Sequence, residues 1–425
     1  MRQLVDHCPG DGETPESRVE DADRRVHPIT GRVIALIEVI GVLLLHRPTL
    51  ERPWGCRSDS GRRSRSPAQR PASPESCEAG RVHPATGTVR LLAVALATAL
   101  LAPLSPAAGT TTAARTAPHA RSAPVGRVLA ISIDGLNPTA LRRIGRQRTP
   151  TLHRLLRTGA ATTNARTQVE STSTLPNHTS MVTGRRVAAT KGGHGVTWNT
   201  DRRGSTVQQA CGDPEVGSVF SVVQAAGGRS AVFAAKSKFS LFARSWPDAV
   251  DRQVIRHGHD RRVTRRLRRD LAHRSRAFTF WHLGLVDRAG HTHGWLSRPY
   301  RRAVRRTDTM IGSVLTVVRK EGIDDLRIVL TADHGGRPGS RHHEAIRKRH
   351  NYRVPFLVWG PGVDAVRLYP ANPDSRRDPG TRRPRFRGRQ PVRNGELANV
   401  ALDLLGLGPV PHSRWDRRHN LSWTS

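Results

Sequence analysis

Short apolar runs rich in β-branched residues recur from residue 127 onward. RVLAISI (127–133), SAVFAA (230–235), AFTFWHLGLV (277–286), RIVLTA (327–332) and VPFLVWG (354–360) have the length and content of buried strands. Between them the spacing turns helical. TPTLHRLLRTG (149–159) opens on Thr-Pro, repeats apolar residues every three or four positions and closes on Gly. In YRRAVRRTDTMIGSVLTVVRKEG (300–322), Val304, Met310, Ile311, Val314, Leu315 and Val318 approximate one apolar stripe. GELANVALDLLGLG (395–408) predicts a last helix ending at Gly. Such alternation predicts an α/β domain, with a mostly parallel central sheet flanked by helices on both faces. The Arg/Pro-rich stretch 364–393 reads as a surface excursion, and no internal repeat is visible.

The first 126 residues differ in texture. Residues 1–87 carry Arg/Ser/Pro runs with little periodicity and read as unfolded, or as sequence upstream of the true start. The apolar run at 33–45 is 13 residues long and contains Glu38, too short for a bilayer that needs about 20. Within 88–109, a basic residue precedes LLAVALATALLAPL (91–104) and small residues follow, the pattern of a signal peptide or an anchor. Export would make the protein secreted or cell-surface, with membrane contact only through this segment if it is not cleaved. Residues 110–126 read as a linker, 127–412 as the catalytic domain and 413–425 as a tail.

Composition narrows the chemistry. The 425-residue chain has a formal net charge of +36, and five of its basic residues are lysines, the rest arginines. An Arg-biased, solvated surface accounts for that charge, although it would also attract polyanions and steer anionic substrates. Aromatic residues make up 4% of the chain, against a base-stacking platform and any specific nucleic-acid partner. The four cysteines form no CxxC pair, which excludes a disulfide scaffold and a thiolate zinc ribbon.

Ligands of open α/β sheets bind beyond the carboxyl ends of strands. Asp134 follows the first run, Asp287 the third, with His291 four residues on, and Asp333-His334 the fourth. One aspartate at a strand end is usually a turn or cap residue. Three, two of them with a nearby histidine, supply the carboxylate and imidazole ligands of zinc, or of manganese or iron. Two such ions about 4 Å apart suit in-line phosphoryl displacement. STSTLPNHTSMVTG (171–184) places Thr174 just before a helical pattern, as a simple N-cap or as a nucleophile whose hydroxyl a metal acidifies.

IDG (133–135), TLPNHTSMVTG (174–184), HGVTWN (194–199), DRAGHTHGW (287–295), TADHGG (331–336) and NYRVPFLVWGPGV (351–363) together resemble the type I phosphodiesterase/nucleotide pyrophosphatase family of the alkaline phosphatase superfamily. The likeness runs over roughly residues 127–410. It implies an alkaline-phosphatase-like fold and two divalent cations, most often Zn2+. One metal position takes Asp134, Thr174, Asp333 and His334; the other takes Asp287, His291 and one later histidine. That histidine is His342 if HHEA is matched to the family's HxDA-like stretch, and His343 if counted back from Asn351; the motif match favours His342. The likeness also implies that Thr174 is phosphorylated in turnover and that the Asn199 amide donates to a phosphate oxygen. His293 reads as a rim residue, His178 and His194 as helix-start and turn residues, and Arg185 and Arg186 as solvent-exposed. The expected substrate is a small phosphodiester or nucleotide. A phosphomonoesterase or phosphonate hydrolase on the same scaffold is the nearest alternative, and a non-catalytic polyanion-binding protein the alternative from another class. Oligomeric state is not legible. No CxPxR motif supports a sulfatase.

Overall fold

The structure, a computed structural model, describes residues 123–425. The expectations for the leader, the anchor and most of the linker therefore lie outside the described residues.

Seven strands form one sheet: β1 (Arg127–Ile133), β2 (Ala160–Arg166), β3 (Ser230–Ala234), β4 (Arg252–Ile255), β5 (Phe278–Leu283), β6 (Leu326–Thr331) and β7 (Arg353–Trp359). Their order is β2-β7-β6-β1-β5-β3-β4. β1 lies between β5 and β6, parallel to both, with Ser132 opposite His282 and Thr331. β3 is parallel to β4 and β5, while β7 is antiparallel to both of its neighbours, so the sheet is mostly parallel, as expected. Every residue of β3 and β5 is buried, as strands covered on both faces require. Pro355 sits within β7, where a missing N–H would break a ladder; the register shift between Thr162 and Ala165 of β2 falls opposite it.

Among the described residues eleven helices accompany the sheet: α1 (Pro138–Ile144), α2 (Pro150–Thr158), α3 (Thr174–Thr183), α4 (Val207–Cys211), α5 (Val219–Ala225), α6 (Ser240–Ser245), α7 (Asp260–His273), α8 (Leu285–His293), α9 (Arg298–Lys320), α10 (Arg349–Tyr352) and α11 (Leu397–Leu404). The group α1, α2, α7, α8 and α9 packs together on one side, and α3, α5 and α11 on the other. α9 starts at Ser297, whose hydroxyl accepts from Tyr300 N, and buries Val304, Ile311, Val314 and Leu315 along one stripe.

Three expectations shift. The run 277–286 is a strand only to Leu283; α8 starts at Leu285, so Asp287 lies in a first helical turn. The predicted last helix ends at Leu404. The 364–393 excursion is largely exposed coil, yet it is pinned from beneath. Arg166 donates to the carbonyls of Gly380 and Arg382, and Arg376 reaches the interior.

Candidate active site

β1, β6 and α8 bring the predicted acids to one place at the carboxyl edge of the sheet. Asp134 directly follows β1, Asp333 and His334 follow β6, and Asp287 lies in the first turn of α8. His291, one turn later on the same helical face, brings its Nε2 within 3.4 Å of Asp287. Gly135 makes the turn after Asp134 with φ 72, and a side chain there would press on Asp287, its Cβ 3.0 Å from that residue's Cα. The Gly135 carbonyl accepts from Trp295 Nε1 at 2.9 Å and from the Tyr300 hydroxyl at 2.8 Å, which fixes this turn against α9.

Two groups of potential ligands result: Asp134, Asp333 and His334; and Asp287, His291 and His343. The ambiguous histidine thereby separates from its neighbour. His343 is buried in the second group, whereas His342 is exposed on the loop and belongs to neither. The geometry thus favours the count back from Asn351 over the motif match.

Each carboxylate is tethered through one oxygen. Asp333 Oδ1 accepts from the backbone N–H groups of Gly135 (3.0 Å) and His334 (2.9 Å). Asp134 Oδ2 takes His282 Nε2 at 2.8 Å and Lys236 Nζ at 2.6 Å, and the same ammonium reaches Asp287 Oδ2 at 2.7 Å. The other oxygens, Asp134 Oδ1, Asp287 Oδ1 and Asp333 Oδ2, are buried without a hydrogen bond, as is His334 Nε2. The histidines follow one rule. Nδ1 of His291, His334 and His343 each lies 2.8 Å from a backbone carbonyl, of Arg341, Gly335 and Thr172 respectively. A carbonyl only accepts, so each Nδ1 carries a proton, and in the neutral ring Nε2 is left with the lone pair. This is how imidazole ligands are oriented around metals. Bare carboxylate oxygens and imidazole nitrogens converging in a buried space fit a divalent cation of the zinc type.

The electrostatics of the site follow from burial and neighbouring charge. Burial would raise the Asp134 carboxyl, but the Lys236 charge and the hydrogen bond from His282 hold it well below the usual range. Burial, with the Asp134 charge, pushes Asp333 up to about 8. Against its own burial, His334 is raised to about 9 by Asp333, Asp134 and Asp287. His343, buried and stacked at 3.5 Å on His334, falls to about 3.

Thr174 is the first residue of α3, and the N-cap position belongs to Ser173, so Thr174 is not the cap. Its segment is stitched to the site on both sides. Thr172 exchanges hydrogen bonds with His343, and Leu175 N donates to Asn199 Oδ1 at 2.9 Å. Thr179 and Thr183 spend their hydroxyls on carbonyls one turn back. Thr174 is buried and its hydroxyl has no such partner among the described residues. Lys238 Nζ also donates to Asn199 Oδ1, at 3.0 Å. With its oxygen held twice, the Asn199 amide NH2 is left to face elsewhere.

The remaining expectations divide. His178 and His194 are buried and hydrogen-bonded to Ser132 and Ser180, outside both ligand groups, and His293 is exposed. Arg185 and Arg186 are not solvent-exposed: they pair with Asp213 and Glu170. Lys236, Lys238 and His282 were not singled out from sequence. A signal existed: of five lysines in an arginine-dominated chain, two follow β3 directly.

A fold of this kind, with aspartates and histidines gathered at the carboxyl edge of a mostly parallel sheet, is alkaline-phosphatase-like. The model of the type I phosphodiesterase/nucleotide pyrophosphatase family matches residues 128–377, and the chain belongs to that family. Among solved structures, murine ectonucleotide pyrophosphatase/phosphodiesterase 5 is similar, with a TM-score of 0.52, 14% identity and coverage of 70% of this chain and 100% of the other. The same protein in an inactive form, in complex with AMP, gives the same values. A 2-O GAG sulfatase matches with a TM-score of 0.50, 13% identity and coverage of 71% and 75%. Among curated proteins, GPI ethanolamine phosphate transferase 1 of Gibberella zeae is 30% identical over 94 residues, 22% of this chain and 9% of the other. Its counterpart from Chaetomium globosum is 30% identical over 106 residues, 24% and 11%. The chain thus spans about a tenth of the length of these curated relatives.

Proposed function

We propose that this protein hydrolyses phosphodiester or pyrophosphate bonds of small substrates, nucleotides included, through a phospho-threonine at Thr174. The observation that carries this reading is the set of bare, buried atoms on Asp134, Asp287, Asp333 and His334, each held in place through its other polar atom. Asp134, Asp333, His334 and Thr174 would hold one divalent cation, and Asp287, His291 and His343 a second, zinc suiting both donor sets. Such ions supply Lewis acidity and charge neutralisation at phosphorus.

The chain's own residues do the rest. Thr174 Oγ1 attacks phosphorus in line; the Oγ1–P bond forms as the bond to the leaving oxygen breaks. Asn199 donates from its amide NH2 to an equatorial oxygen, where charge grows in the transition state. Water then attacks the phospho-threonine, freeing phosphate ester and restoring the hydroxyl. Two inversions give net retention at phosphorus. We further propose an extracytoplasmic location, with a mature N-terminus at 106–125; no helix among the described residues is long and apolar enough to cross a membrane.

Acid quench during turnover of bis-p-nitrophenyl phosphate tests the mechanism. Phosphate is expected on the peptide containing residues 171–184 in the wild type and on none in Thr174→Ala, which loses nearly all activity while folding normally. A Thr174→Ala protein turning over at wild-type rate would remove the covalent intermediate. Comparing bis-p-nitrophenyl with p-nitrophenyl phosphate separates the diesterase from the monoesterase reading, and N-terminal sequencing of exported protein tests processing.

A further inference from the structure

The two helical layers differ sharply in charge. α1, α2, α7 and α9 carry sixteen arginines and Lys320, all exposed except the half-exposed Arg301. Their acids, Asp260, Asp270 and Asp308, are all buried. Along these four helices every exposed charge is therefore positive. On the other side, α3, α5 and α11 contain one charged residue, Asp403.

The positive layer is also grooved. Between α2 and α9 lies a groove of about 950 Å³, lined by Arg148, Arg154, Arg302, Arg305, Arg306 and Arg319. A hollow of about 240 Å³ shares Arg148, Arg302 and Arg305 with it and continues to Arg298 and Arg301 at the start of α9. From Arg298 to Arg319 this track is roughly 32 Å long at 1.5 Å per residue. Its near end lies over the helical turn of Tyr300, whose buried hydroxyl bonds the backbone of Gly135 and Asn137 just after Asp134.

We propose that this track binds a flexible polymer of phosphodiesters joined by polar, base-free units, such as a polyol phosphate, and leads it to the catalytic site. The proposal rests on the hydrolase reading above and names a polymeric substrate for it. Guanidinium groups match phosphate oxygens in pairs. The shape favours a single flexible chain, since a rigid duplex or a flat bilayer touches ridges and not a groove. No aromatic side chain lines the track, which leaves no ring there on which bases would stack.

Fluorescence anisotropy of the purified full-length protein with end-labelled poly(glycerol phosphate), across a salt series, tests this. The variant Arg302→Gln/Arg305→Gln/Arg306→Gln removes three contacts outside the catalytic machinery. At about 0.7 in log–log salt slope per contact, the slope should fall by about 2 and affinity at 0.1 M salt by about a hundredfold. Turnover of bis-p-nitrophenyl phosphate should be unchanged. Equal binding by wild type and variant, or no binding by either, would overturn the track. Tighter binding of duplex DNA or of phosphatidylserine vesicles, with the same loss in the variant, would overturn the assigned ligand class. If wild type binds the polymer and the variant does not, but neither hydrolyses bis-p-nitrophenyl phosphate, the track stands and the hydrolytic reading fails.

Discussion

Arg376, Glu396 and Asp416 lie as deep in the protein as Asp134, Asp287 and Asp333, yet the two trios are finished differently. Arg376 donates to Glu396 at 3.2 Å, to Asp416 at 2.7 Å and to Asn420 at 2.9 Å. Asp416 Oδ1 also takes two backbone N–H groups, and Glu396 Oε1 takes Arg393 N. Of the acidic oxygens in that trio, one, Asp416 Oδ2, stays bare. In the trio of Asp134, Asp287 and Asp333 every carboxylate keeps a bare oxygen, and all three face histidine nitrogens within ligand range. Completed charge is architecture; charge left open on one side only is a cradle.

Asp333→Asn probes the open trio hardest. Activity should fall by more than the roughly 10–100-fold seen for residues that merely support a metal ligand. Stability of chelator-treated protein should move the other way. The Asp333 carboxyl is raised to about 8, so its contribution is present at acid pH and lost as pH rises through 8; the amide cannot lose it. Urea melts at pH 7 and 9 on chelated samples check this, and a variant less stable than wild type at pH 9 would contradict it. Next in size, His343→Ala should release about one zinc per chain, as elemental analysis reads, while His342→Ala should retain it. The reverse result would return the ligand role to His342.

In the closed trio, Asp416→Ala should leave Arg376 without its shortest contact and cost about 3–5 kcal/mol, measured by urea titration. Its folded fraction should keep wild-type turnover, because nothing in this trio touches the catalytic groups. The smallest effect is expected of Glu396→Gln. Burial raises Glu396 to about 7 despite Arg376, so wild-type stability gained from it is complete at acid pH and declines as pH rises towards 7. The variant should lose part of that slope, and an unchanged slope would remove Glu396 as its source.

The interior strands were legible because burial on both faces demands continuous apolar runs. β2 (AATTNAR) and β4 (RQVI) were not, since each is an edge strand that can be polar. α7 was hidden by six arginines, although Val263, Leu267 and Leu271 keep helical spacing beneath them. The aspartates were readable from strand ends, because chain direction alone delivers them to one edge. What chain order could not show was support from strands distant in sequence. His282 points inward from β5, and Lys236 enters from β3. His342 and His343 differ by one position, and only the course of the loop decides which ring turns inward.

Lys236 has a consequence for the order in which this molecule is built. Asp134 and Asp287 lie 153 positions apart in the chain, and their mutual repulsion would oppose closing the sheet around them. One ammonium bonded to both, at 2.6 and 2.7 Å, supplies an internal counterion that arrives with β3 itself. The sheet can therefore close on these carboxylates with their charge already balanced, so that a cation bound here would fill a finished seat.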